Sequence, residues 1–260
     1  MDDDWDFCDQ SSGPSYIQNS ARAPSLNEIS RFLSIKSNAS SLTQDGSRNP
    51  TLMSVNGKND SKDEKNEAAT FRRQMRNMGI QELHRMPPSM LLALANRMSI
   101  DQINTICGFL INKLENATPY FFYGSSAFPA ALRKIIRDDN TEDLALRMTP
   151  GLLRGWKRLA VRGKDYPALV ATHDNDDVVP GMVVFGIREH QRPLIDAFES
   201  NLFSLATDVV LFELPSNAIT MTKASFYVWN QGHDRLIPEE EGLWRPEDLL
   251  KSEWHKTLSY

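Results

Sequence analysis

Apolar positions along the chain change their spacing twice, and the two changes divide it into three segments. Up to about residue 70 they lie scattered among Ser, Asn and Asp and keep no period, so too little surface can be buried to offset the entropy of ordering. Residues 1–70 are expected to form a disordered tail. One stretch departs from this: Ser25 and Glu28 have capping-box spacing, and Leu26, Ile29, Phe32 and Leu33 share a helical face. Patterns this short arise often by chance, so a transient helix is the plainer reading and a docking helix the alternative.

Residues 71–117 take up a helical period and read as a hairpin extension. Pro87-Pro88 stands where a first helical turn tolerates proline, and Met90, Leu91, Leu94, Ala95 and Met98 follow as one wide apolar face. Ser99 caps a second helix with Ile100, Ile103, Ile106, Cys107, Leu110, Ile111 and Leu114 at helical spacing. Two helices with almost no loop between them must cover something apolar, either the next domain or a second copy. The Met-rich face suits adaptable partner contact, but core packing is the simpler use.

From Pro119 onward the period shortens to that of strands. Tyr120 to Tyr123 is a continuous apolar run, followed by a turn and a helix over Ala127 to Arg137. Asp138 to Thr149 reads as a loop, Leu152 to Val161 as one strand and Tyr166 to Ala171 as another. Val183 to Phe185 is a further strand, and Leu194 to Glu199 a helix ending in glutamate. Strands near Asp208 to Glu213 and Ser225 to Trp229 precede a short helix from about Pro246. Many short strands with few helices predict, for residues 118–260, an α+β domain: a small mixed, mostly antiparallel β-barrel with flanking helices.

Composition narrows the function. The 260 residues are 40% hydrophobic and 24% charged with a formal net charge of −5, which supports a sizeable core and supplies no basic field for phosphates. Nucleic acid is not an expected partner. Cys8 and Cys107 are the two cysteines, too few for a disulfide framework. The start is acidic where a secretory signal is basic, and no run approaches the roughly 20 apolar residues that span a bilayer. The expected setting is cytoplasmic, away from the membrane. His84, His173, His190, His233 and His255 lack ligand spacing, and His173 with Asp174, Asp176 and Asp177 reads as a solvated turn before a metal site.

Two pieces carry candidate chemistry. Tyr123-Gly124-Ser125-Ser126 delivers a strand into a helix through small residues, where backbone amides can approach an anion. Ser125 or Ser126 as a helix N-cap is the competing reading. Tyr123 is either a pocket hydroxyl or a core tyrosine. Glu199, at a helix C-terminus, faces the negative end of the helix dipole, a placement that raises a carboxyl pKa. An ordinary exposed helix-end glutamate is the alternative.

These pieces, with Gly155-Trp156, Tyr166 to Val170, Val179 to Phe185, Ile195 to Glu199 and Ala224 to Trp229, occur in the order that resembles the gamma-glutamylcyclotransferase-like family. The branch most similar is that of the plant avirulence-induced proteins. The resemblance covers about Pro119 to Tyr260. It implies a small barrel whose cavity converts a γ-glutamyl amine or amino acid into 5-oxoproline and a free amine, without a cofactor. The substrate's own α-amine is the nucleophile in that transferase reaction, so no Ser-His or Cys-His constellation is needed. The resemblance assigns Glu199 as general base and acid, and Tyr123, Gly124, Ser125, Ser126, Tyr166 and Pro167 to substrate binding. Trp229 and Trp244 read as packing residues. Where the family usually has glycine, tyrosine and arginine after the glutamate, this chain has Ser200, Phe203 and Leu205. A ligand-binding or protein-interaction module on the same fold, with a protein partner recruited by the tail or the hairpin, is the second reading.

Overall fold

The computed structural model describes residues 52–53, 66, 69–74, 80, 83–113, 115–172 and 174–258. Most of the expected tail, the helix expected over 24–33, Leu114 and His173 lie outside them. The strands are β1 (Leu52–Met53), β2 (Tyr120–Phe122), β3 (Met148–Arg154), β4 (Trp156–Val161), β5 (Pro167–Ala171), β6 (Val178–Val184), β7 (Phe203–Glu213), β8 (Ile219–Trp229) and β9 (Leu236–Ile237). Five of them close on themselves in the order β8-β2-β6-β3-β7, with β7 pairing back to β8. All contacts in this ring are antiparallel except β2 with β8, where Tyr120 meets Ser225 in parallel. The result is an α+β fold built on a closed mixed barrel.

Closure depends on burying β2 on both faces. Side chains alternate across a strand, and here Tyr120 and Phe122 enter one core while Phe121 enters the other. The outer core joins them to Met148, Met182 and Val184 and to helix residues; the inner one joins Phe121 to Val183, Phe212 and Phe226. A glycine makes the fit possible. A Cβ at Gly181 would lie 2.4 Å from the Phe122 carbonyl oxygen and 2.6 Å from the Phe121 ring.

The helices are α1 (Pro88–Ala95), α2 (Ile100–Asn112), α3 (Pro129–Ile136), α4 (Thr141–Leu146), α5 (Arg192–Glu199), α6 (Pro246–Lys251) and α7 (Glu253–Lys256). Ser99 caps α2 as expected, its hydroxyl accepting from Gln102 N at 3.2 Å while Gln102 Oε1 accepts from Ser99 N at 2.9 Å. Met90, Met98, Ile103, Cys107 and Leu110 are buried, so the extension covers the barrel of its own chain. Ile111 falls beside that stripe and stays exposed.

Three local expectations are corrected. The span from 152 to 161 is two strands, because Gly155 takes a positive φ of 77° and swings β4 out of the barrel into a second sheet, β5-β4-β9. The expected loop over 138–149 contains α4, capped by Asn140 Oδ1, which accepts from Glu142 N at 2.9 Å and Asp143 N at 3.2 Å. It buries only Leu144 and Ala145, too short a pattern to show a period. The helix after β2 starts at Pro129, behind a 3-10 turn over Ser125–Ala127.

One buried anion joins the extension to the barrel. Glu213, at the end of β7, accepts from Arg72 Nε at 2.6 Å and from Arg97 Nε at 3.0 Å, and its side chain is 6% exposed against 40% and 30% for the arginines. Removing the carboxylate takes a shared acceptor from two partly exposed arginines, of which Arg97 keeps its bonds to Leu94 O and Asn96 O. Glu213→Ala is therefore expected to lower unfolding free energy by about 1–2 kcal/mol, read from the urea midpoint; a midpoint unchanged within error would show the arginines re-pairing freely with solvent.

Candidate active site

The end of β2, the start of β5, the end of α5 and the start of β7 converge on a cavity of about 410 Å³. All seven residues singled out in the sequence line it: Tyr123, Gly124, Ser125, Ser126, Tyr166, Pro167 and Glu199. Residues 40 to 76 positions along the chain from the Tyr123–Ser126 turn reach it because the barrel brings back α5 and the β4–β5 connection beside β2.

Glu199 is placed by its helix. Ile195 is fully buried in the outer core, which fixes the face of α5 and sets the glutamate, one turn later, against the cavity. The helix stops there because Ser200 has φ 57° and ψ −165°. Burial raises the Glu199 carboxyl to about 7; the Ser126 hydroxyl, which donates to Glu199 Oε1 at 3.4 Å, pulls the other way. That bond is long, so desolvation wins. The side chain is half-buried, and the part that remains open faces the cavity.

The turn between β2 and α3 keeps its shape with two bonds, Ala127 N to Gly124 O at 3.0 Å and Phe128 N to Ser125 O at 3.1 Å. The amides of Ser125 and Ser126 stand outside that bonding. Neither serine caps a helix: the N-cap of α3 is Phe128, without a side-chain bond. Gly124 lets Pro167 close in, since a Cβ there would lie 3.1 Å from the proline ring.

Tyr123 lines the cavity, but its hydroxyl donates to the Tyr227 carbonyl at 2.7 Å, and burial first, then the Glu199 charge, holds its pKa well above the usual phenol value. Tyr227 in turn donates to the Asp196 carboxylate. Burial and that acceptor keep Tyr227 protonated throughout the usual pH range. These two bonds tie β2 to β8 and β8 to α5, one turn before Glu199. Arg158, on β4, donates to the Tyr123 carbonyl at 3.0 Å and lies 5.1 Å from the Trp244 ring centre; desolvation lowers its pKa to about 10, so it remains cationic at neutral pH.

Tyr227, Phe198, Phe203 and Trp254 also line the cavity and Arg158 underlies it. Tyr227 and Phe198 lay inside motifs already noted, but nothing in the local pattern separates them from core aromatics. Trp229 and Trp244 bond through their indole N–H to Gly232 O and Asp165 O, at 3.2 and 2.6 Å, as packing residues do. Among the described residues no group of three His, Cys, Asp or Glu side chains is arranged to hold a metal, and no helix is long and apolar enough to cross a membrane.

Residues 120–246 match the family model described as Gamma-glutamyl cyclotransferase, AIG2-like. This part of the chain belongs to that family. The match spans all the strands of the barrel and every cavity residue singled out from sequence. Solved structures similar to the domain include two Arabidopsis thaliana proteins known from solution structures. They are 24% and 22% identical, with TM-scores of 0.38 each; the similarity covers 54% of this chain and 77% and 83% of theirs. A protein titled gamma-glutamyl cyclotransferase is 14% identical with a TM-score of 0.33, covering 55% of this chain and 89% of its own. No curated protein matches.

Ser200, where the resemblance implies glycine, has φ 57° with ψ −165°, a region that side chains disfavour. Ser200 softens the strain by accepting from Leu202 N at 3.3 Å. Ser200→Gly is expected to raise stability by about 1 kcal/mol, strain relief exceeding the added unfolded-state entropy, as a higher melting temperature. An unchanged or lower one would mean the serine bond fully offsets the strain.

The raised Glu199 pKa also sets a pH dependence. Unfolded, this carboxyl titrates near 4.5; folded, near 7. Between those values the native protein holds a proton that the unfolded chain has lost, so this group's contribution to stability falls as pH rises through the window. Glu199→Gln is expected to be more stable than the unaltered protein by about 2–3 kcal/mol at pH 8, and by under about 1 at pH 5. Equal gains at both pH values would show that the carboxyl titrates normally.

Proposed function

We propose that the protein is a γ-glutamylcyclotransferase, releasing 5-oxoproline and a free amine from a γ-glutamyl amine or γ-glutamyl amino acid. The observation that carries this reading is the Glu199 carboxyl, raised to about 7 and facing the Ser126 hydroxyl in the cavity of a family domain.

The reaction needs a base more than a nucleophile. The substrate's α-amine is protonated near neutral pH, with a typical pKa of about 8; a carboxylate near 7 takes that proton with little mismatch, whereas one at 4.5 does not. Glu199 takes one proton from the α-ammonium and passes it to solvent; the freed amine nitrogen then bonds to the γ-carbonyl carbon, closing the five-membered ring, and gives up its second proton to Glu199, which leaves the ring nitrogen neutral. The tetrahedral centre collapses, the bond to the leaving amine breaks, and Glu199 returns the proton to that nitrogen. The turn amides of Ser125 and Ser126, outside the turn's own bonding, with the Ser126 hydroxyl, hold the substrate carboxylate, and Gly124 packed on Pro167 keeps the backbone close. Tyr166 and Pro167 form the facing wall. Tyr123 and Tyr227, whose protons are committed elsewhere, hold the frame.

Turnover is expected to rise with pH through about 7 as Glu199 loses its proton. Glu199→Gln is expected to cut 5-oxoproline formation by at least about 100-fold while keeping the circular dichroism spectrum. Full activity in that variant sinks the assignment. Phe203 lines the cavity where the family usually has tyrosine, which lessens its polar lining and favours the second reading, a binding module. Saturable binding of a γ-glutamyl ligand, with no 5-oxoproline from the unaltered protein, selects it.

A further inference from the structure

Trp254 lines the cavity although it lies outside residues 120–246, the span matched by the family. It is carried by α7, and α7 is pinned from both sides. Ser252 Oγ caps it, accepting from His255 N at 3.1 Å and donating to Leu249 O at 2.8 Å. Leu249 and Leu258, before and after it, are buried with Met86, Met90, Phe128 and Trp244. Lys134 Nζ on α3 reaches Thr257 Oγ1 at 2.9 Å. The indole is thus held by a packed segment and meets the Phe198 ring at 5.7 Å between centroids, tilted by 34°. Across the lining, Tyr166 and Phe203 form an edge-to-face pair at 6.1 Å.

These rings leave the cavity with two kinds of surface. Glu199, Ser125, Ser126 and the turn backbone are polar and suit the γ-glutamyl group, Lys164 and Asp165 add a charged edge, and Tyr166, Phe198, Phe203 and Trp254 are aromatic. A cavity of about 410 Å³ falls in the range of small-molecule pockets, about 300–1,000 Å³, and holds more than a γ-glutamyl group. Against these four rings a flat apolar group gains both burial and ring contact.

We propose that Trp254, supplied from beyond the family domain, forms with Phe198, Tyr166 and Phe203 an aromatic wall that selects γ-glutamyl substrates with an aromatic leaving amine. This rests on the cyclotransferase reading above. The wall acts by uniform binding, so it is felt in KM more than in kcat.

The test compares kcat/KM for γ-glutamylphenylalanine and γ-glutamylalanine, with 5-oxoproline quantified by mass spectrometry, in the full chain and its Trp254→Ala and Trp254→Phe variants, with thermal melts to verify folding. The aromatic-to-alanine ratio is expected to exceed about 10 in the unaltered protein. It should fall by about tenfold or more in Trp254→Ala, mainly through KM, and be largely kept in Trp254→Phe. A ratio near one, or one that Trp254→Ala leaves unchanged, overturns the proposal. Calorimetric binding of both dipeptides to the Glu199→Gln protein separates the two readings. Tighter binding of the phenylalanine dipeptide there, with no turnover by the unaltered protein, supports the wall and overturns the cyclotransferase; equal binding overturns the wall alone.

Discussion

Burial of β2 on both faces is the constraint from which the rest follows. A three-residue strand of Tyr120, Phe121 and Phe122 offers no polar side to water, so it must lie between β6 and β8 with helices outside and rings inside. Its parallel contact with β8 is narrow, a single residue pair supported by Ser225 N donating to Pro119 O at 2.8 Å. That narrow seam closes the ring and fixes where the chain leaves the barrel. The turn over 124–126 emerges there, beside the end of α5, and the cavity exists because these two exits coincide.

The carboxyl of Glu199 is held by that same geometry at a cost. A helix anchored through Ile195 and through Asp196, which accepts from Tyr227, keeps its last residue against the cavity. Ser126 offers only one long bond to the carboxylate, and no cation is seated against it among the described contacts. Sites that keep an acid above its normal pKa give up folding stability for reactivity. Ser200 adds a second local cost, since a strained residue ends the helix exactly where the carboxyl must stop turning with it. Both costs fall within two adjacent residues, and the packed barrel bears them.

Period was legible in the sequence wherever an element was long or buried on two faces. The Tyr120 run, the capped α2 and the helix ending at Glu199 all show apolar spacing that no loop would keep. The corrections arose where one residue overrode a continuing pattern. At Gly155 a positive φ divides an apolar run into strands of two different sheets, and α4 buries two residues where a period needs more. The convergence of Glu199 and the 124–126 turn on one cavity was legible because both stand at element ends, where small or charged residues break the apolar pattern. Tyr227 and Arg158 were not, since a tyrosine on an alternating strand and an arginine on a half-buried one look like any other until β8 and β4 are set beside the turn.

The three positions that depart from the family pattern have different physical consequences. Ser200 acts on the backbone, and its hydroxyl already compensates part of the strain. Leu205 is 54% exposed and is not among the residues that line the cavity, so its change leaves the reacting groups untouched. Phe203 is the one that faces the cavity, in ring contact with both Tyr166 and Trp229. Its ring carries no hydroxyl and extends the aromatic surface that Phe198 and Trp254 begin. The Glu199 carboxyl and its burial do not depend on any of the three positions; Phe203 is the one whose side chain forms part of the cavity surface. The departures therefore change the lining of the cavity and the backbone at its edge more than the setting of the buried carboxyl.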